Sequence, residues 1–181
     1  MNGKVLVAYA TRYGSTGEVA EAIALRLHEL GLEADAKSVK KAHSLDGYDG
    51  VIFGAPFYLG GMLKDGRAWL ESQRAALEQR PSAIFTLGPT SAADDLAEAS
   101  KQIDKVLQAL PWLEPVAATM FVGAYDPTRL RFADRLVTMP PASPLHGLEA
   151  HDDRDWEAIR AWADTVAAAL GAALAGVART P

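Results

Sequence analysis

Four short apolar runs punctuate the chain, at residues 5–9, 51–53, 83–85 and 116–122. None alternates with polar residues, the pattern of strands covered on both faces. A fifth segment, residues 33–39, alternates charged side chains with Ala34 and Ala36 and is predicted at a sheet edge, where one side meets water. Between these runs apolar residues recur at helical spacing. Val19, Ile23, Leu27 and Leu30 form one stripe, closed by Gly31. Leu96, Ala99, Ile103, Val106, Leu107 and Leu110 form another, stopped by Pro111. Trp69, Leu70, Gln73 and Leu77 give a weaker helix before Pro81. Trp156, Ile159, Ala163, Val166 and Leu170 give the last, preceded by Asp152, Asp153 and Asp155, where the helix dipole favours negative charge.

Repeated strand–helix crossovers of this kind predict an α/β fold with a doubly wound parallel sheet. With the second strand at an edge, the expected order of the five strands is 2-1-3-4-5, in a single domain over residues 1–181. The helix between residues 39 and 50 is short or missing. Residues 125–154, rich in Pro and Arg, form an irregular segment before the last helix.

Composition narrows the functions. Hydrophobic residues are 49% and charged residues 23% of the 181, which excludes a largely disordered chain. A net charge of -5 gives no electrostatic footprint for nucleic acid. The lack of cysteine excludes disulfides, thiolate chemistry and iron–sulfur clusters. The four histidines have no metal-ligand spacing, so no metal site is expected. No secretory signal is read at the N-terminus. The apolar stretch at 165–178, broken by Gly171 and Gly176, falls short of the roughly 20 residues of a bilayer span. The expected location is cytoplasmic.

In an open parallel sheet, ligands bind at the carboxyl ends of strands where the strand order reverses. The loop leaving the first strand reads Ala10, Thr11, Arg12, Tyr13, Gly14, Ser15, Thr16, Gly17. Its hydroxyls, glycines and amides open into a helix N-terminus, an arrangement that wraps a phosphate. It is neither a GxGxxG nor a GxxxxGK[ST] motif, which disfavours a dinucleotide site and a nucleoside triphosphatase. The alternative is that Ser15 or Thr16 simply caps the helix. After the third strand come Gly54, Ala55, Pro56, Phe57, Tyr58, Leu59, Gly60 and Gly61. The adjacent aromatics can flank a planar ring, Pro56 can fix a turn, and the glycine pair allows close backbone approach. Leu87, Gly88, Pro89 and Thr90 follow the fourth strand at the same edge. Together these loops describe a mononucleotide site for a flat heterocycle, and FMN fits best.

At these residues the chain resembles the flavodoxins, whose Thr-x-x-Gly-x-Thr phosphate loop corresponds to Thr11, Gly14 and Thr16. More narrowly it resembles the flavodoxin-like family of quinone-dependent protoporphyrinogen IX dehydrogenases. That resemblance is carried by the strand succession, the loop Thr11 to Thr16 and the Gly54-Ala55 turn. It continues in Gly123-Ala124, in Arg129-x-Arg131-aromatic-x-Asp134-Arg135, and in Asp155-Trp156-Glu157 opening the last helix. The chain departs from the family in a short segment at 88–96, acidic at Asp94 and Asp95. It departs again in Met139-Pro140-Pro141-Ala142-Ser143-Pro144 and in Tyr58, at a position often basic in the family. The resemblance implies an FMN-dependent oxidoreductase whose flavin takes electrons from a reduced tetrapyrrole or similar substrate, with a quinone or other small redox partner.

A bound flavin carries such chemistry itself, so no protein nucleophile or base is expected. Arg129, Arg131 and Arg135, with Arg12, are candidates for favouring a reduced flavin, for binding carboxylates of substrate, or for peripheral contact with an anionic membrane. A solvated amphipathic turn is the alternative for the three arginines that follow the last strand. Two other functions stay open at this point: an electron carrier without a small-molecule substrate, and a cofactor-free interaction module. A phosphoacceptor receiver domain is excluded, because Thr11-Arg12 stands where its acidic pair belongs.

Overall fold

The computed structural model describes residues 3–58, 61–88, 96–130 and 149–177, with 132, 134, 136, 139, 140, 146 and 147. Strand β1 (Lys4–Tyr9) leads into helix α1 (Ser15–Glu29), β2 (Glu33–Ser38) and β3 (Gly50–Tyr58). A two-residue strand β4 (Gly61–Met62) precedes α2 (Lys64–Ser72) and the single turn α3 (Arg74–Leu77). Then come β5 (Ser82–Gly88), α4 (Leu96–Gln108), β6 (Ala117–Val122), β7 (Ala124–Tyr125), β8 (His151–Asp152) and α5 (Trp156–Val177).

The main sheet has the order β2-β1-β3-β5-β6, and these five strands are parallel. Discounting the short β4, which folds back antiparallel on β3, this is the expected 2-1-3-4-5 arrangement. Alternate residues of each strand face opposite layers. Val5, Val7, Ile52 and Phe85 meet Val19, Ile23 and Leu27 of α1 and Ile159, Ala163, Val166 and Leu170 of α5. Leu6, Val51, Phe53 and Ile84 meet Trp69, Leu70, Leu77, Val106 and Leu110 on the other side. Each fully buried aromatic or branched side chain here contributes about 1.5–3 kcal/mol of transfer free energy.

The segment between β2 and β3 covers the second face without a helix. Val39, Ala42, Leu45 and Tyr48 are buried there, and the Trp69 indole donates to the Ala42 carbonyl at 2.6 Å while stacking on Phe53. Helix α5 is longer than its apolar stretch foretold. Residues 156–175 reach bilayer-spanning length and apolarity by composition, but Ile159, Ala163, Val166 and Leu170 are spent on the core of this sheet. The helix starts on Asp155, whose carboxylate accepts from the Ala158 amide at 2.9 Å. The stretch read as irregular is closed at its ends by pairing: Tyr125 opposes His151 and Ala124 opposes Asp152. This small sheet carries the chain back to the start of α5.

Candidate functional site

From β1 the chain passes to α1 on one face of the sheet, and from β3 to α2 on the other. Neighbouring strands whose connections leave in opposite directions open a crevice at their carboxyl ends. The loop after β1 lies there. Its first residue is still tied to the sheet, since the Ala10 amide donates to the Gly54 carbonyl at 2.9 Å. The Gly14 amide donates to Thr11 Oγ1 at 2.9 Å, closing the loop on itself. Gly14 adopts φ +101°, a left-handed conformation that side chains resist, and occupies the cap position of α1.

Among the described residues no side chain caps this helix. Ser15 and Thr16 therefore do not play the simple capping role, and their amides, in the first turn, have no carbonyl available within the helix. Gly17 and Glu18 donate to the Gly14 carbonyl at 2.8 and 3.1 Å. Thr16 is fully buried, and among the described residues its Oγ1 has no hydrogen-bond partner. A buried hydroxyl without a partner costs about 1–3 kcal/mol. Neutral donors, a positive helix end and an unsatisfied hydroxyl fit a phosphate monoester.

The second predicted loop is mostly strand. β3 runs through Gly54, Ala55 and Pro56 to Tyr58, with Pro56 opposite Leu87 of β5. Pro56 thus sits inside the strand rather than at the turn. β1 has already ended opposite Gly54, so at Pro56 the strand has a neighbour on one side only and tolerates the missing amide. The backbone of Phe57 and Tyr58 pairs with Met62 and Gly61, making a hairpin that extends beyond β1 at the crevice end. Leu59 and Gly60 lie outside the described residues, as do Pro89 and Thr90 of the third loop. Leu87 is buried in the core beneath α1 and α5, and leaves its backbone for the loop. A Cβ on Gly88 would come 2.3 Å from Met120 Sδ, so a larger residue there displaces that flexible side chain.

Arg12 and Arg129 are engaged. Arg12 Nη2 donates to Asp134 Oδ1 at 2.6 Å, and the Tyr13 hydroxyl donates to Asp134 Oδ2. Arg129 lies 3.5 Å from Asp126 and 3.9 Å from Glu18. Asp126 is held below the usual carboxylate range by the Thr128 hydroxyl and amide, with Arg129 adding to the effect. Arg131 and Arg135 lie outside the described residues.

Sequence reading missed two connecting residues. Asp134 appears there only as a motif letter, and its partners are in the β1–α1 loop. Arg154 sits among three aspartates that read simply as a favourable helix start. In the structure its side chain is 7% exposed, and its guanidinium bonds Asp152 and Glu18 and lies over the Trp156 ring at 4.6 Å. The Asp152 carboxylate, followed by Glu18, raises the Arg154 pKa against the opposing effect of burial. The buried Thr86 Oγ1, near the end of β5, is a second unpartnered hydroxyl that no local pattern announced.

Comparison with known proteins places this architecture. The chain is 26% identical over 138 residues to the protoporphyrinogen IX dehydrogenase [quinone] of Escherichia coli strain K12, covering 74% of this chain and 76% of that one. The protein of that name from E. coli O157:H7 matches to the same extent. Among solved structures, a flavodoxin from the domain Archaea superposes with a TM-score of 0.59 at 16% identity, covering 93% of this chain and 99% of that one. The Streptococcus pneumoniae TIGR4 flavodoxin gives 0.57 at 20%, covering 91% and 98%. The rubredoxin oxygen:oxidoreductase of Desulfovibrio gigas also gives 0.57 at 20% over 95% of this chain, which spans 37% of that longer protein. A family model described as a flavodoxin domain matches residues 6–139, well over half the sequence, and the chain belongs to that family.

Proposed function

We propose that this chain binds FMN at the β1–β3 crevice and acts as an oxidoreductase of the protoporphyrinogen dehydrogenase type. The observation that carries the reading is Thr16 Oγ1, fully buried and unpartnered beside an uncapped helix N-terminus. Thr11, Ser15, Thr16 and the first amides of α1 would hold the phosphate. Phe57 and Tyr58, at the end of β3, with Leu59, Gly60 and Gly61, would flank the ring. Leu87 to Thr90 would close the third side through backbone. When bound, FMN supplies the electron-accepting chemistry. The protein's own residues hold it, screen it from water and set its electrostatic surroundings.

The substrate class, a reduced tetrapyrrole or similar molecule, and a quinone or other small redox partner rest on the dehydrogenase resemblance and the 26% identical relatives. A peripheral membrane contact belongs to the edge beyond Arg129. There Phe132 and Met139 are strongly exposed and Leu136 is half exposed.

One observation favours the electron-carrier reading. A cation about 10 Å from a reduced flavin favours it by roughly 1–2 kcal/mol at an effective dielectric near 20. Arg12 and Arg129 are each paired with carboxylates, which offsets that effect.

The purified chain, incubated with FMN and desalted, is expected to show flavin absorption bands and to be reduced anaerobically by protoporphyrinogen. A chain that stays colourless overturns the cofactor reading. A yellow protein with a strongly negative hydroquinone couple and no reaction with protoporphyrinogen is an electron carrier.

A further inference from the structure

Two consecutive side chains of the β1–α1 loop converge on one carboxylate. Arg12 Nη2 meets Asp134 Oδ1 at 2.6 Å and the Tyr13 hydroxyl meets Asp134 Oδ2, across 122 and 121 residues of sequence. The Asp134 side chain is 24% exposed and that of Arg12 37%. The ends of the loop are held by other bonds, from the Ala10 amide to Gly54 and from the Gly14 amide to Thr11. Its middle is held by Asp134.

We propose that Asp134 is a positioning residue for the phosphate loop, fixing Arg12 and Tyr13 so that the donors of residues 11–16 converge before a phosphate arrives. This rests on reading the loop as a phosphate cradle. A site whose donors are already ordered loses less conformational freedom on binding. The carboxylate also neutralises Arg12, so the loop presents a phosphate with neutral donors and a helix end rather than a free cation. These two effects have opposite signs when the carboxylate is removed. Loss of positioning weakens phosphate binding. A liberated Arg12 strengthens it, and does so less at high salt.

The experiment titrates the apoprotein with FMN and with riboflavin, which lacks the phosphate, and follows flavin fluorescence. For Asp134→Asn, FMN affinity is expected to fall about tenfold while riboflavin affinity changes by less than about twofold. A general loss of structure lowers both affinities together and overturns the assignment. So does an Asp134→Asn variant that binds FMN as tightly as the parent, or more tightly. Should that variant fail to fold, Tyr13→Phe keeps the Arg12 pair and carries the test, with FMN expected to weaken about threefold and riboflavin unchanged. Unchanged FMN affinity in Tyr13→Phe then overturns the proposal. If the parent protein binds FMN no better than riboflavin, the cradle reading fails and Asp134 loses its role with it. A failure of the positioning role alone leaves the parent's preference for FMN intact.

Discussion

The guanidinium of Arg154 lies 2.7 Å from the Glu18 carboxylate, across 136 residues of sequence. Glu18 is in the first turn of α1, whose amides form the floor of the candidate phosphate site. Arg154 also donates to Asp152 and, at 3.4 Å, to the Ser15 carbonyl. One nearly buried side chain therefore joins the small β7–β8 sheet to the helix end that the site depends on. Arg154→Ala is expected to lower stability by about 1–3 kcal/mol in urea denaturation, since it removes charged hydrogen bonds and the packing on Trp156. Lysine should recover only part of this, because it cannot reproduce the planar fork. A melt of Arg154→Ala that coincides with the parent would refute the joint.

Thr16→Val should act in opposite directions on the two forms of the protein. Valine keeps the shape and removes a buried hydroxyl that has no partner among the described residues. The apoprotein is expected to be as stable as the parent, or more so by about 1 kcal/mol, while FMN affinity falls roughly tenfold. Thermal melts without ligand and FMN titrations check both halves. An apoprotein clearly destabilised by valine means that the hydroxyl serves the fold itself.

Gly54 marks where β3 passes beneath Phe85. A Cβ there would stand 2.0 Å from the ring, and Phe85 is fully buried between Phe121 and Trp162 with no room to retreat. Gly54→Ala is expected to cost about 1–3 kcal/mol or more by overpacking. Adding Phe85→Leu should return part of that loss, so the two changes will be non-additive in a double-mutant cycle.

The acid response has a defined sign. Asp35 is held below the usual carboxylate range by the Tyr48 hydroxyl, then by Lys4, with burial opposing. A lowered folded pKa contributes stability that is full above about pH 4, the ordinary Asp value, and is lost as pH falls through the folded one. Tyr48→Phe should therefore cost more at pH 7 than at pH 3, as read from urea midpoints at both. An equal cost at the two values means that the hydroxyl contributes through packing alone.

The strand order was legible in sequence for a local reason. A strand covered on both faces has no polar positions to interrupt it, so residues 5–9, 51–53 and 83–85 declare themselves. Edge strand β2 declares itself by the charges beside Ala34 and Ala36. The left-handed Gly14 that opens α1 lies in the glycine-bearing loop between strand and helix, a local signal of the turn. The extent of β3 was not legible, because Pro56 reads as a turn until its neighbour β1 is known to have ended.

What the amino-acid order settled alone was the layering and the edge, both consequences of short-range periodicity. Folding in three dimensions decided which distant groups meet: Asp134 with Arg12 and Tyr13, and Arg154 with Glu18. Such pairings depend on the relative placement of segments more than a hundred residues apart. No periodicity within either segment encodes that placement, because it is fixed by the packing of both against the same sheet.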